Sequence, residues 1–146
     1  MKRYVVGFMF NDEKSKICLI KKNRPEWQSG FLNGIGGHIE WGESSLDAMI
    51  REFYEETGVA THIMAWCHVC TLRFPYAEVE FFAGANTYYT EKAKTTTDET
   101  VHIVDVAGLS GVIENLPPLI ELSLQRLSDR IGVAPMAWQK TQHQES

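Results

Sequence analysis

The sequence is poor in the features that mark disulfide-rich and membrane-spanning proteins. It holds three cysteines in 146 residues, an odd and low number that argues against a disulfide scaffold and favours a reducing compartment. The apolar run at residues 4–10 is too short to span a membrane, and no small-residue cleavage site follows it. We therefore expect a cytoplasmic protein with no membrane partner.

The chain also lacks an excess of basic residues. Its 14 Lys and Arg are outnumbered by 19 Asp and Glu, so the formal net charge is −5. A surface of this sign repels a phosphate backbone, and we expect no duplex nucleic acid as a partner. A small anionic ligand would need a local cluster of cations or a bound metal ion to offset this field.

What is present is the composition of one ordinary globular domain. Hydrophobic residues make up 44% of the chain and charged residues 23%, both close to globular averages. We find no internal repeat, linker or low-complexity block. The sequence therefore predicts a single domain over residues 1–134, followed by a polar C-terminal tail over residues 135–146.

Hydrophobic patterning predicts an α/β fold. Apolar runs indicate strands at residues 4–10, 16–22, 63–74, 78–89 and 101–106. A glycine-rich loop is predicted at residues 23–42, and helices are predicted at residues 44–57 and 117–131. This order of elements implies a mixed β-sheet with helices packed on it.

The predicted helix at residues 44–57 has clear ends and an apolar stripe. Ser44 can cap its N-terminus, and Gly58 follows its last turn. The stripe has i, i+3, i+4, i+7 spacing and comprises Leu46, Met49, Ile50 and Phe53. We expect this stripe to be the buried face.

Three glutamates lie on the same helix. We place Leu46 at the origin of a helical wheel that turns about 100° per residue. Glu52, Glu55 and Glu56 then lie at about 240°, 180° and 280°. We expect them on the face opposite the stripe, where the other residues, Ser45 and Ala48, are small. Carboxylates this close repel one another. They form either a solvated acidic face or a site for a hard divalent cation, Mg²⁺ or Mn²⁺.

The loop before this helix favours the metal-binding interpretation. Residues 33–37 read Asn-Gly-Ile-Gly-Gly, with three glycines in four positions. Glycine adopts positive φ readily and lets the backbone come close to a ligand. Backbone carbonyls in such a loop can complete a metal shell, and backbone N–H groups can face phosphate.

The loop and the helix together form a longer pattern. Gly37 is followed after five residues by Glu43, and after seven more by Arg-Glu-Phe-Tyr-Glu-Glu-Thr-Gly-Val at residues 51–59. This pattern resembles the Nudix box of the Nudix (MutT-like) hydrolases. Only Phe53 departs from it, because the family usually has an aliphatic residue there. The resemblance implies a Nudix-type α/β/α sandwich with a mixed β-sheet between helices.

The same resemblance implies an enzyme that needs Mg²⁺ or Mn²⁺ and cleaves a nucleoside diphosphate linked to another group. Glu55 and Glu56 would be metal ligands, and Glu52 would be either a ligand or the general base. The backbone carbonyl of Gly36 would be a further ligand.

Residues around these ligands also receive roles from the resemblance. Arg51 would orient the carboxylates, and Glu43 would pair with Arg51 or help hold the loop. A further acid often comes from a loop after the sheet strands, as ligand or base. Glu99 is our candidate, with Asp98 beside it, and an exposed loop charge is the alternative.

Candidate phosphate-binding residues flank the glycine loop. Lys22 and Arg24 lie between the second strand and the loop, together with Lys21, and could steer a polyanionic substrate. Gly37 and His38 follow within the loop itself. Exposed solubilising charges are the alternative for the two lysines, and solvent exposure is the alternative for the histidine.

The nucleotide itself is left open by the sequence. The Asn-Gly-x-Gly-Gly segment resembles that of oxidised purine nucleoside triphosphatases, so Asn33 is either a base-recognition residue or part of an ordinary turn. Pro75 resembles a marker of ADP-ribose pyrophosphatases, and Tyr76 a marker of dinucleoside polyphosphate hydrolases. Five aromatic residues could stack on a base or belong to the core: Trp27, Phe31, Trp66, Phe74 and Tyr76.

These observations leave several functions to compare. The first is hydrolysis of a nucleoside triphosphate, such as the oxidised purine nucleotide 8-oxo-dGTP, to a monophosphate and pyrophosphate. The second is hydrolysis of ADP-ribose or a dinucleoside polyphosphate, and the third is nucleotide sensing without turnover. In each case the partner is a small nucleotide, and a homodimer is the assembly that the resemblance suggests.

A second motif, Cys-His-Val-Cys at residues 67–70, has the spacing of a zinc or redox motif. It lies in a predicted strand, where positions three apart are expected to point to opposite faces. It also lacks a second ligand pair. We therefore expect no metal or redox site there.

Overall fold

A mixed β-sheet lies at the centre of the protein. The computed structural model describes the backbone of residues 1–144 and the side chains of residues 1–130. In this range one sheet contains β1 (Lys2–Phe10), β2 (Lys16–Lys21), β3 (Leu32–Asn33), β4 (Ile35–His38), β5 (Cys67–Arg73), β6 (Ala77–Ala85) and β7 (Val101–Asp105). The helices are α1 (Ser45–Thr57), α2 (Thr87–Lys92) and α3 (Leu116–Gln144).

β1 organises the sheet. It pairs in parallel with β6 along its whole length and antiparallel with β4 over residues 4–7. At Met9 and Phe10 it pairs antiparallel with β2. The strand order is therefore β3-β2-β1-β6-β5, with β4 added to β1 and β7 added to β2. One edge of β1 is paired with β6. The opposite edge is shared by β2 and β4, and this places the glycine-rich segment beside the centre of the sheet.

Helices cover both faces of the sheet. Alternate residues of β2 enter different cores: Cys18 and Ile20 pack in the α1-side core, and Ile17 and Leu19 in the α3-side core. A strand buried on both faces has a continuous apolar sequence, which explains the runs seen in β1 and β2. The predicted α/β/α sandwich with a mixed sheet is confirmed.

The ends of α1 follow the local sequence signals. The Ser44 hydroxyl accepts a hydrogen bond from the Asp47 amide, and the Asp47 carboxylate accepts one from the Ser44 amide. Gly58 ends the helix with a φ of 77°, in the left-handed region that glycine adopts without strain. Helix α1 therefore begins and ends as predicted.

The predicted glycine-rich loop at residues 23–42 contains more structure than expected. A 3₁₀ turn forms at Glu26–Gln28, and β3 and β4 pair with β2 and β1. A Cβ at Gly36 would lie 1.8 Å from the backbone oxygen of Val5. β4 can therefore approach β1 this closely only because residue 36 has no side chain. Local propensity does not predict this contact.

Two predicted strands are shorter than expected. The segment at residues 63–74 begins with a 3₁₀ turn at Ile63–Ala65, where the His62 ring accepts a hydrogen bond from the Met64 amide. β6 ends at Ala85, because Asn86 caps α2 through the Tyr89 amide. In both places a side chain bonded to the nearby backbone competes with extended structure.

Helix α3 is longer than predicted. It begins at Leu116 and ends at Gln144, rather than near residue 131. The segment predicted as a polar tail contains good helix formers such as Met, Ala, Gln and Lys, and its backbone is helical through residue 144. The end of that predicted tail, residues 145 and 146, lies outside the described residues. Within the described part of the chain, no helix is long and apolar enough to cross a membrane.

The predicted orientation of Cys67 and Cys70 on opposite faces of their strand is wrong. A β-bulge between His68 and Cys70 shifts the register of β5 against β6. Cys67 and Cys70 therefore both pack towards the α3-side core, instead of pointing to opposite faces. Both thiols are free. The sequence pattern alone could not reveal the bulge, because it depends on pairing with β6.

Candidate active site

The buried face of α1 is rotated from the predicted one. Its fully buried residues are Ala48, Met49, Phe53 and Thr57, whereas Leu46 and Ile50 are only partly buried. On the helical wheel Glu56 lies about 20° from Met49. The expectation that all three glutamates lie opposite the core was therefore wrong, and Ala48 belongs to the core instead of leaving open space beside them.

Glu56 is a partly buried carboxylate, and one of its two oxygens lacks a polar partner. Within the described residues, its Oε2 is shielded from solvent and accepts no hydrogen bond. Burial, followed by the charge of Glu52, raises the pKa of Glu56 to about 8. Lys22 opposes this rise and Glu99 adds to it. Such a carboxylate needs either a proton or a cation, and oxygen donors of this kind suit Mg²⁺ or Mn²⁺.

Arg51 holds the other carboxylates of the helix. Its guanidinium donates to Glu43 through Nε at 2.7 Å and Nη2 at 2.9 Å, and to Glu52 through Nη1 at 2.8 Å. Nη1 also reaches the half-exposed Glu55 at 3.3 Å. A further contact, from Nη2 to the His38 carbonyl at 2.9 Å, ties the helix to β4. The hydrogen bond from Arg51 lowers the pKa of Glu43.

Burial raises the pKa of Glu52 above its ordinary value, although Arg51 opposes the rise. Its carboxylate lies against the glycine loop, where a Cβ on Gly37 would come within 2.5 Å of it. A side chain at position 37 would therefore displace the Glu52 carboxylate. The glycine that opens the sequence pattern is explained by this contact.

Glu99 is buried, with 4% of its surface exposed, so it is not an exposed loop charge. Its carboxylate accepts hydrogen bonds from the Lys22 ammonium at 3.0 Å, the Asn23 amide at 2.7 Å and the Arg24 amide at 3.3 Å. Burial alone would raise the pKa of Glu99, but these donors hold it below its ordinary value. Asp98 beside it pairs with the Arg24 guanidinium.

These acids do not form a ready-made metal shell. Among residues 1–130, no group of three or more His, Cys, Asp or Glu side chains converges on one point. Instead, Arg51 holds Glu52 and Glu55, and Lys22 holds Glu99. The unpaired buried oxygen of Glu56 is the feature that fits a cation.

A cavity of about 930 Å³ opens beside this cluster. All of the predicted substrate-binding residues line it: Lys22, Arg24, Asn33, Gly37 and His38, together with Gly36. The Asn33 amide donates to the Gln28 side chain at 3.0 Å and accepts from the Gly34 amide at 2.7 Å. Asn33 therefore faces the cavity with its amide orientation fixed by two neighbours.

The cavity also has walls that the sequence did not indicate. Lining residues missed by sequence reasoning include Tyr4, Gln28, Glu114 and Asn115. Glu114 and Asn115 are a polar pair between Ile113 and Leu116, just before α3. In the sequence, only this placement could have indicated that they line a cavity. They line the cavity because α3 packs on the sheet face next to it.

The five aromatic residues considered for base stacking lie in three different environments. Trp27 and Phe74 line the cavity and are substantially exposed. Trp66 is buried against Phe53, with ring centroids 5.3 Å apart, and is a core residue. Phe31 and Tyr76 are exposed and do not line the described cavity.

Comparisons with known proteins concern the family and the fold of this chain. A family model for the NUDIX domain matches residues 1–118. A structure from a study of MutT from Aliivibrio salmonicida and Vibrio cholerae is 26% identical, with a TM-score of 0.69 over 85% of this chain and 98% of that chain. No curated protein matches the chain significantly.

Two further solved structures share the fold. The NUDIX domain of Shewanella oneidensis NrtR, complexed with ADP ribose, is 19% identical, with a TM-score of 0.68 over 86% of this chain and 87% of that chain. A MutT/nudix family protein from Enterococcus faecalis is 18% identical, with a TM-score of 0.59 over 71% of this chain and 43% of that chain. At these identities the likeness concerns the fold alone.

Proposed function

The chain belongs to the Nudix family, and from this premise we propose that it hydrolyses a nucleoside triphosphate to a monophosphate and pyrophosphate with Mg²⁺ or Mn²⁺. Membership of this family supports a pyrophosphohydrolase-type hydrolase in general. The observation that carries the more specific proposal is the cavity that joins Asn33 to Lys22 and the Gly36–Gly37 backbone. A base and a phosphate chain could bind there at the same time.

The size and lining of the cavity support a nucleotide. Its volume of about 930 Å³ is at the upper end of the range for small-molecule sites, about 300–1,000 Å³. Its apolar lining, from Val6, Val79, Phe81 and Ile113, suits a planar base. The polar groups at its edge then select the base by hydrogen bonding.

Those polar groups favour a purine with several N–H donors. An ionised Glu114 can only accept hydrogen bonds, whereas Asn33 and Gln28 can donate and accept. Oxidation of guanine at C8 adds a ring N–H, so 8-oxo-dGTP presents one more donor than dGTP. An oxidised purine nucleotide is therefore our first substrate candidate.

The carboxylates suit a divalent metal ion. Glu52, Glu55, Glu56 and Glu99 would hold it with the Gly36 carbonyl, and the orphaned oxygen of Glu56 supports this assignment. Such an ion, when bound, neutralises phosphate charge and lowers the pKa of a bound water.

The chain's own residues would do the rest of the chemistry. Lys22 and Arg24 would bind the phosphates, whose charge must be neutralised for phosphoryl transfer. Glu52 or Glu99 would take a proton from the attacking water. Arg51 would keep Glu52 in place, as it does through the 2.8 Å contact of its Nη1.

ADP ribose is the second candidate substrate, because a solved domain of the same fold binds it. An activity screen with Mg²⁺ would separate the two candidates. It would compare ordinary and oxidised nucleoside triphosphates, ADP ribose, dinucleoside polyphosphates and nucleotide sugars, with the Glu56→Gln variant as the control. Preferred release of pyrophosphate from an oxidised purine triphosphate would support the proposal. No turnover with any of these compounds would favour a nucleotide sensor.

A further inference from the structure

Lys22 lies between the carboxylates and the cavity. Its ammonium donates to Glu99 Oε1 at 3.0 Å, and only 17% of its side chain is exposed. Its charge also acts on Glu56. The same side chain lines the cavity. A positive charge therefore lies within the acidic cluster, on the side that faces the cavity.

The neighbouring Lys21 gives a natural comparison. It precedes Lys22 in the chain and pairs with Leu32 in the sheet, but its side chain is exposed. Among residues 1–130 it makes no ion pair with an acid. The two lysines carry the same charge in adjacent positions, yet only Lys22 points into the cluster.

We propose that Lys22 is an internal counter-ion that competes with the divalent cation for these carboxylates. It holds Glu99 while the metal is absent, and it keeps the metal affinity low until nucleotide phosphates offer the ammonium another partner. This inference rests on the proposed function, because it assumes that the carboxylates bind a divalent ion and that the cavity binds phosphates.

Electrostatics gives the direction of the effect. A monovalent cation among carboxylates reduces the negative potential that attracts a divalent ion. Lysine suits this role because its charge sits at the end of a flexible four-carbon chain and can change partner. Because linkage is reciprocal, a phosphate that draws Lys22 away must also raise the affinity for the metal.

The test is Mn²⁺ binding without nucleotide, measured by electron paramagnetic resonance of the free ion. We expect Lys22→Gln to bind Mn²⁺ about tenfold or more tightly than the wild type, since a unit charge beside a divalent ion is removed. Glutamine can still donate a hydrogen bond to Glu99. Lys22→Met provides a second neutral variant, and Lys22→Arg, which keeps the charge, should bind like the wild type.

Lys21→Gln is the matched control, because it removes the same charge from the exposed neighbour and should leave the affinity within about twofold. An unchanged or weaker Mn²⁺ affinity in folded Lys22→Gln or Lys22→Met protein would overturn the inference. If neither the wild type nor the Lys22 variants bind Mn²⁺, even with a nucleoside triphosphate present, the proposed function itself fails. The two failures are therefore distinguishable.

Discussion

The Arg51 guanidinium and the Glu43 carboxylate meet in a two-point contact, with Nε to Oε2 at 2.7 Å and Nη2 to Oε1 at 2.9 Å. This geometry leaves Nη1 free to reach Glu52 and Glu55. Glu43 therefore sets the orientation of the arginine that holds two of the proposed ligands. The contact joins the loop before α1 to the face of the helix that carries the chemistry.

Glu43→Gln should weaken activity without contacting the substrate. The variant loses one of the two charged hydrogen bonds, so we expect kcat to fall about 10- to 100-fold and stability to fall by about 1–2 kcal/mol. Steady-state kinetics and thermal melts would measure both effects. Glu40→Gln is the control, because Glu40 is 66% exposed and lies 3.9 Å from Arg51. Equal losses in the two variants would contradict the positioning role.

Glu56→Gln and Glu55→Gln should abolish turnover while the protein remains folded. Both side chains are proposed metal ligands, and glutamine is a poor substitute for a charged oxygen donor. With a nucleotide present, millimolar Mg²⁺ should raise the melting temperature of the wild type, because the ion binds only the folded cluster. This shift should be lost in Glu56→Gln. Full Mg²⁺-dependent activity in both variants would refute the ligand assignment.

The metal-free protein should lose stability as pH rises towards 8. The pKa of Glu56 is raised from its ordinary value of 4.5 to about 8, so the folded state binds its proton more tightly than the unfolded state does. The stability that this bound proton contributes is fully present below the pKa of the unfolded state. It is lost as the pH rises from 4.5 to about 8. Thermal melts in a chelator at about pH 5.5 and pH 8 would measure the change.

Glu56→Gln serves as the control for that pH dependence. Glutamine does not titrate, so the fall in melting temperature between the two pH values should be smaller in the variant than in the wild type. Identical falls would mean that Glu56 does not hold its proton as described.

Asn33→Ala should distinguish base recognition from a role in the turn. If the Asn33 amide binds the base, KM should rise about tenfold or more while kcat changes little, as loss of one buried hydrogen bond implies. If Asn33 only holds the Gly34 amide, the melting temperature should fall and KM should stay the same. Gln28→Ala is a useful companion, because it removes the partner of Asn33 and leaves the Gly34 contact intact.

Much of the site could be predicted because it is local in sequence. Ser44, Asp47 and Gly58 set the ends of α1 through contacts within a few residues. Glu52, Glu55 and Glu56 are held close together by the helix itself. The residues missed, Glu114 and Gln28, lie far apart in the chain and share a cavity only after α3 and the 3₁₀ turn have packed against the sheet. No local pattern contains that information.

The sequence by itself determined the family pattern, the capped acidic helix and the first two strands, because all three depend on the spacing of neighbouring residues. The tertiary structure decided which glutamates of α1 became partly buried, since periodicity does not specify how a helix is rotated against its sheet. It also decided that Lys22 meets Glu99. Pairing of β2 with β7 places Ile20 opposite Val101, and so brings residues almost eighty positions apart into one cluster. Long-range strand pairing of this kind arises only when the whole chain folds.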